Sequence, residues 1–147
     1  MDCEFVKSYS GKDLLARVSL INFKGEVVYD TLVLPEEPIC DFIPHITGLS
    51  QEMLHGAPKY SEVNQHVINL IRDAVVIGHT LIKKKKKFTS KEEVLISYID
   101  VSEYKDYMKD SFRKSKLKDL AAKHFNAKIQ ESVHSSIIDS RAALALY

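Results

Sequence analysis

Met1-Asp2-Cys3-Glu4-Phe5-Val6 stands at one end of the chain and His134-Ser135-Ser136-Ile137-Ile138-Asp139 close to the other, and these two stretches together decide how the sequence folds. Residues 2 to 6 read as a short strand. Side chains alternate between faces along a strand, so Asp2 and Glu4 share one face and Cys3 points to the opposite, buried one with no thiol chemistry implied. The D-x-E spacing therefore lets two hard oxygen ligands converge on one divalent ion. Toward the other end a helix is expected from about Ser136 to Tyr147, with Ile138, Ala142, Ala145 and Leu146 on one face. Asp139 then lies in its first turns, where the helix dipole favours a carboxylate, and His134 sits on the preceding loop as a base. Acids that can hold a metal beside a histidine that can take a proton point to metal-assisted phosphodiester hydrolysis.

Between these ends the pattern is α/β, with no internal repeat and no linker. Leu14–Phe23 and Glu26–Leu34 are rich in Val, Leu and Ile and read as strands joined by a tight turn at Lys24-Gly25, making a meander with the first strand. Pro35 and Pro38 end the third strand and open a loop through Pro44, after which Ser50 caps a short helix to Leu54. From Ser61, the positions Val63, Val67, Leu70 and Ile71 form one apolar helical stripe. Ala74–Gly78 reads as a central parallel strand ending at His79, and Ile96–Val101 as a fifth strand. Helical stretches are expected over Ser102–Asp110 and Lys116–Phe125. The run Lys83–Lys87 reads by default as a solvated helix face.

Composition excludes several classes. A chain of 147 residues, 45% hydrophobic and 28% charged, has the make-up of one globular domain with its own core. Twenty-one basic against twenty acidic residues give a net charge of +1, so affinity for a polyanion has to come from local patches. The two cysteines, Cys3 and Cys40, have no CxxC spacing and no secretory leader accompanies them, which fits a reducing intracellular compartment. No apolar run reaches the length that spans a bilayer, and no membrane partner is expected.

Further blocks lie between the two ends. They are L-A-R-V-S-L-I-N-F at 15–23, G-E-V-V-Y-D at 25–30, P-E-E-P-I-C-D-F at 35–42, I-T-G-L at 46–49, V-I-G-H at 76–79, L-K-D-L-A at 117–121 and H-S-S-I-I-D-S-R-A-A-L at 134–144. In this order and at these separations, the blocks resemble those of the DEDDh, or DnaQ-like, 3'-to-5' exonucleases, and more closely the eukaryotic RNA exonucleases that trim structural RNA precursors. The resemblance implies a ribonuclease-H-like α/β fold, a five-stranded mixed sheet flanked by helices, as one exonuclease domain over residues 1–147. It implies Mg²⁺ or Mn²⁺ as cofactor, two ions in all, with Asp2, Glu4 and Asp139 as metal ligands and His134 as the catalytic base. It further implies the 3' end of single-stranded RNA as partner, with DNA left open, and a nuclear location. Phe5 and His45 match positions that contact the terminal nucleotide, and His79 a position that orders the edge of the site.

One position departs from the family pattern. The family carries an acid five residues after the histidine of its G-H block, where this chain has Lys84. Two readings follow: a 3'-to-5' exoribonuclease, or an exonuclease-like RNA-binding module with reduced or no turnover. Lys84 and its neighbours would lie near the mouth of the site, where a positive edge holds phosphates of a single strand.

Overall fold

The computed structural model describes residues 1–88, 96–110 and 112–147. Strands β1 (Asp2–Ser8), β2 (Asp13–Ile21) and β3 (Val27–Leu32) form the expected antiparallel meander. The β2–β3 turn is held by the Asn22 Oδ1 atom, which accepts from the amides of Lys24 (2.9 Å) and Glu26 (3.0 Å), while Gly25 supplies the positive φ of 79°. The segment expected to be a loop contains β4 (Ile39–Asp41), which pairs with the free edge of β1 and gives the order β3-β2-β1-β4. Pro38 and Pro44 bracket it and keep it short. A bulge follows Glu4: Glu4 pairs with Arg17 and Phe5 with Leu15, so Ala16 is the extra residue. Bulges of this kind re-aim the side chains beside them.

Helix α1 (Pro44–Thr47) was not legible as a helix, whereas α2 (Gln51–Leu54) forms with Ser50 Oγ as its cap, accepting from Met53 at 3.4 Å. Helix α3 (Tyr60–Ile71) buries Val63, Val67, Ile68 and Ile71 against Cys3, Leu15, Val18 and Val76. Leu70, expected in that stripe, is 38% exposed. Ile68 and Leu70 flank the stripe on opposite sides, and the core lies on the Ile68 side.

Strand β5 (Val75–Gly78) runs parallel to β6 (Ser97–Asp100), but the two form their own sheet rather than completing a five-stranded one. The class stays mixed α/β. The two sheets meet at Met1, whose amine donates to the Ile77 carbonyl at 2.7 Å, one bond in place of a ladder. The region expected to be helical after β6 contains two 3₁₀ turns, Val101–Glu103 and Lys105–Tyr107, with an extended Tyr104 between them. Asp100 explains the first turn and more. Its carboxylate accepts from Ser102 N (3.0 Å) and Ser102 Oγ (2.6 Å), and also from Thr80 N and Leu81 N (both 2.8 Å), which tethers the start of helix α4 (Ile82–Lys85) to the end of β6.

Helices α5 (Leu117–Phe125) and α6 (Ser136–Leu146) close the fold, and α5 buries Leu117, Leu120 and Ala121. The buried face of α6 is Ser136, Asp139, Ser140, Ala143 and Leu146; of the expected face only Leu146 is fully buried, and Ile138 is 48% exposed. Small and polar residues let α6 come close to β1 and β2. Ser136 Oγ hydrogen-bonds Ser19 Oγ at 2.6 Å, and Ser19 donates onward to Asp30 at 2.6 Å. That docking turns Asp139 toward β1. No helix among the described residues is long and apolar enough to cross a membrane.

Gly78 tests the seam between the sheets. A Cβ there would lie 2.8 Å from the Met1 carbonyl oxygen and 2.5 Å from Leu81 Cδ2. Gly78→Ala is expected to cost about 1–3 kcal/mol of stability through overpacking, read by denaturant unfolding. It should also weaken Mn²⁺ binding, because Asp2 follows Met1; an unchanged affinity would uncouple the seam from the acids.

Candidate metal centre and cleft

Asp2 and Glu4 project from the same face of β1, and α6 brings Asp139 to them across the sheet. One carboxylate oxygen from each lies within 4.8 Å of the others. Glu4 and Asp139 are 5% and 3% exposed, and Glu4 Oε1 and Asp139 Oδ1 are buried without a hydrogen-bond partner. Buried carboxylate oxygens lacking donors are costly unless a cation answers them. Burial, then the charges of Asp2 and Asp139, push the Glu4 carboxyl up to about 8. Burial also raises Asp139 to about 6, against a hydrogen bond from Gln130, so desolvation outweighs the hydrogen bond at this position. Three converging acids with open oxygens fit a hard divalent ion such as Mg²⁺ or Mn²⁺.

Lys84 turns inward from α4. Its ammonium makes an ion pair with Asp2 Oδ1 and donates to the His79 carbonyl at 2.8 Å, with the side chain only 12% exposed. Desolvation opposes the charge, but attraction and hydrogen bonding to Asp2, helped by Asp139, hold the Lys84 pKa above its usual value. The lysine run is therefore split by environment. Lys83 is exposed and pairs with Asp13 at 2.9 Å, whereas Lys84 turns in to pair with Asp2 at the edge of the acid cluster. Truncating one member of a buried pair costs on the order of 3–5 kcal/mol, since the other charge is left unanswered.

His134 faces the acids from the loop before α6. Its Nδ1 is 4.0 Å from Asp139 Oδ2, the ring is 30% exposed, and burial lowers its pKa, which favours the neutral, proton-accepting form near pH 7. The loop is seated on the I-T-G block: the His134 amide donates to the Ile46 carbonyl at 2.7 Å, and Val133 packs on Gly48. Gly48 has φ 67°, and a Cβ there would meet Val133 Cγ1 at 2.5 Å. His79 hydrogen-bonds the Ser115 carbonyl at 3.0 Å and Thr80 Oγ1 at 3.1 Å, and burial lowers its pKa.

These groups line a cleft of about 480 Å³ that includes Asp2, Glu4, Phe5, His79, Lys84, His134 and Asp139. His45 is exposed on α1 and does not line it. Sequence reasoning missed Gln130, which donates to Asp139 Oδ2 at 2.7 Å, and the cleft lysines Lys116 and Lys118. Gln130 belongs to the stretch between α5 and α6, which has no periodicity to mark it.

The exonuclease model of the RNase T family matches residues 1–147. The chain belongs to this exonuclease family. It is 37% identical over 150 residues to RNA exonuclease 4 of Cryptococcus neoformans, covering 100% of this chain and 36% of that protein. It is 36% identical over 149 residues to RNA exonuclease 1 of Saccharomyces cerevisiae, covering 99% of this chain and 26% of that one. Against RNA exonuclease 4 of Candida glabrata the identity is 33% over 152 residues, 100% of this chain and 57% of the relative. The chain thus spans about a quarter to rather more than half of these relatives. Among solved structures, the Pan2 catalytic unit of Neurospora crassa superposes with TM-score 0.82 at 24% identity, over 99% of this chain and 25% of that one. The Pan2 module of S. cerevisiae in complex with A7 RNA superposes with TM-score 0.81 at 26% identity, over 99% and 27%. This exonuclease domain is therefore ribonuclease-H-like in fold and consistent with the DEDDh type.

The open carboxylates have a measurable consequence in chelated protein. An acid whose folded pKa is raised stabilises the fold below its unfolded value and loses that contribution as pH rises through the folded one. Stability should therefore decline from about pH 4.5 to about 8 on account of Glu4. In thermal unfolding Glu4→Gln should remove the decline above about pH 6 and make the part below it shallower, leaving there only the contribution of Asp139. A parallel pH profile in the variant would show that Glu4 is not the group responsible.

Proposed function

We propose that this domain is a metal-dependent 3'-to-5' exoribonuclease acting on the 3' end of single-stranded RNA. The observation that carries the reading is the convergence of Asp2, Glu4 and Asp139 within 4.8 Å, with His134 Nδ1 4.0 Å from Asp139 Oδ2. The RNA exonuclease names of the relatives and the RNA bound to the yeast Pan2 module support RNA as the substrate.

Asp2, Glu4 and Asp139 would hold Mg²⁺ or Mn²⁺, which supplies Lewis-acid chemistry: it lowers the pKa of water and polarises a phosphoryl oxygen. His134 takes the proton from the attacking water at its ring edge facing the carboxylates. The water oxygen bonds to phosphorus, the bond to the 3' oxygen of the preceding nucleotide breaks, and that oxygen ends protonated as a nucleoside 5'-monophosphate leaves. Lys116 and Lys118, which line the cleft, offer positive charge to the phosphates of the strand. Phe5, part-buried on β1 and lining the cleft, offers an apolar surface to the terminal base. Lys84 favours a second reading, an RNA-binding module without turnover, because its ammonium occupies one oxygen of a metal-ligating acid.

A single-stranded RNA labelled at its 5' end should shorten in one-nucleotide steps, and a chelator should stop the reaction. Internal cuts, loss from the 5' end or indifference to chelation would each contradict the nuclease reading. Retained RNA with no shortening selects the binding module.

His134→Ala should slow the chemical step by roughly 10²- to 10⁴-fold, the usual effect of losing a general base, with little change in RNA affinity. Single-turnover rates and filter binding separate the two quantities. Weak binding with a normal single-turnover rate would make His134 a substrate clamp.

A further inference from the structure

We infer that the site takes one divalent cation rather than two, and that the Lys84 ammonium is built in as the second positive charge. The inference deepens the metal-dependent reading above and rests on it.

Lys84 is held like a ligand rather than a surface lysine. Its Nζ is fixed between the Asp2 carboxylate and the His79 carbonyl (2.8 Å). Its helix is pinned in turn: Asp100 accepts from the amides of Thr80 and Leu81 just before it, both at 2.8 Å, and the Lys85 amide returns to the Leu81 carbonyl at 2.9 Å. Asp2 is shared, with one oxygen on the ammonium while its carboxylate also belongs to the trio. The fixed cation thus stands one carboxylate away from the point on which the acids converge.

The open valences agree. Glu4 Oε1 and Asp139 Oδ1 are buried and unanswered, and both belong to the same trio. Among the described residues no second group of acids meets the same geometric standard. Charge agrees as well. With all three acids ionised, as metal binding requires, three carboxylates and one ammonium leave two negative charges, the complement of one divalent ion. An acid at position 84 would leave four negative charges, the complement of two such ions. Exchanging an acid and its divalent ion for a lysine conserves the local charge, because both combinations carry a net +1. A second divalent ion beside Lys84 would instead meet a fixed like charge in a desolvated site, where repulsion is strongest. The ammonium can still stabilise negative charge developing on a nearby phosphate oxygen, since it is oriented before substrate arrives.

The test counts ions. The chelated full chain is titrated with Mn²⁺ in the presence of saturating AMP, and free Mn²⁺ is read by electron paramagnetic resonance. The wild-type chain should bind one Mn²⁺ and Lys84→Asp two. Lys84→Gln, which guards against misfolding of the acidic variant, should keep one ion and bind it at least about tenfold more tightly, because the competing ammonium is gone. Two ions in the wild type overturn the inference. So does one ion in a folded Lys84→Asp, or an unchanged affinity in Lys84→Gln. No bound ion in the wild type removes the metal-dependent reading along with it, whereas the expected counts without RNA shortening leave the inference standing and remove only the nuclease.

Discussion

Three carboxylates brought together out of water are the constraint on which the rest of this structure turns. Each of Asp2, Glu4 and Asp139 would rather be solvated, and together they repel one another. The fold offsets part of that cost with one ammonium from Lys84 and one amide from Gln130, and leaves Glu4 Oε1 and Asp139 Oδ1 without partners. A protein spends stability in this way where a ligand is meant to return it.

The architecture makes that concentration of charge possible by rigid means. β1 pairs with β2 at both acids, Asp2 opposite Ser19 and Glu4 opposite Arg17, so their backbone has little freedom. α6 carries Asp139 and is fixed by the Ser136–Ser19 hydrogen bond and a buried face of small residues. α4 carries Lys84 and is fixed by Asp100 at the end of β6. Side chains of β1, α4 and α6 thus meet in the cleft, next in sequence to the Met1–Ile77 contact that joins the two sheets.

Lys84 separates this chain from the family pattern in a definite physical sense. On a solvated helix face a lysine is interchangeable with its neighbours, and within Lys83–Lys87 only the count from His79 marks Lys84 as different. Burial distinguishes it: 12% side-chain exposure for Lys84 against 66% for Lys83. The same residue type therefore screens at one position and acts as a structural counter-ion at the next.

The sequence by itself determined the local geometry. Strand periodicity puts Asp2 and Glu4 on one face, Ser50 and the Asn22–Gly25 turn set their own ends, and the ordered blocks carry the family and its α/β class, because these depend on residues near one another or on motif order. Tertiary structure decided what depends on packing between distant elements. It chose Ile68 over Leu70 for the core, and gave α6 the face through Asp139 and Ala143 instead of the one through Ile138, since a helix with apolar residues on several sides has no unique buried stripe until a partner surface selects it. It turned a proline-bracketed loop into β4, because an edge strand needs only a neighbour with free backbone groups. It recruited Gln130 and turned Lys84 inward, while leaving His45 outside the cleft. These outcomes were invisible along the chain because each is fixed by a surface, a charge or a backbone group on another element.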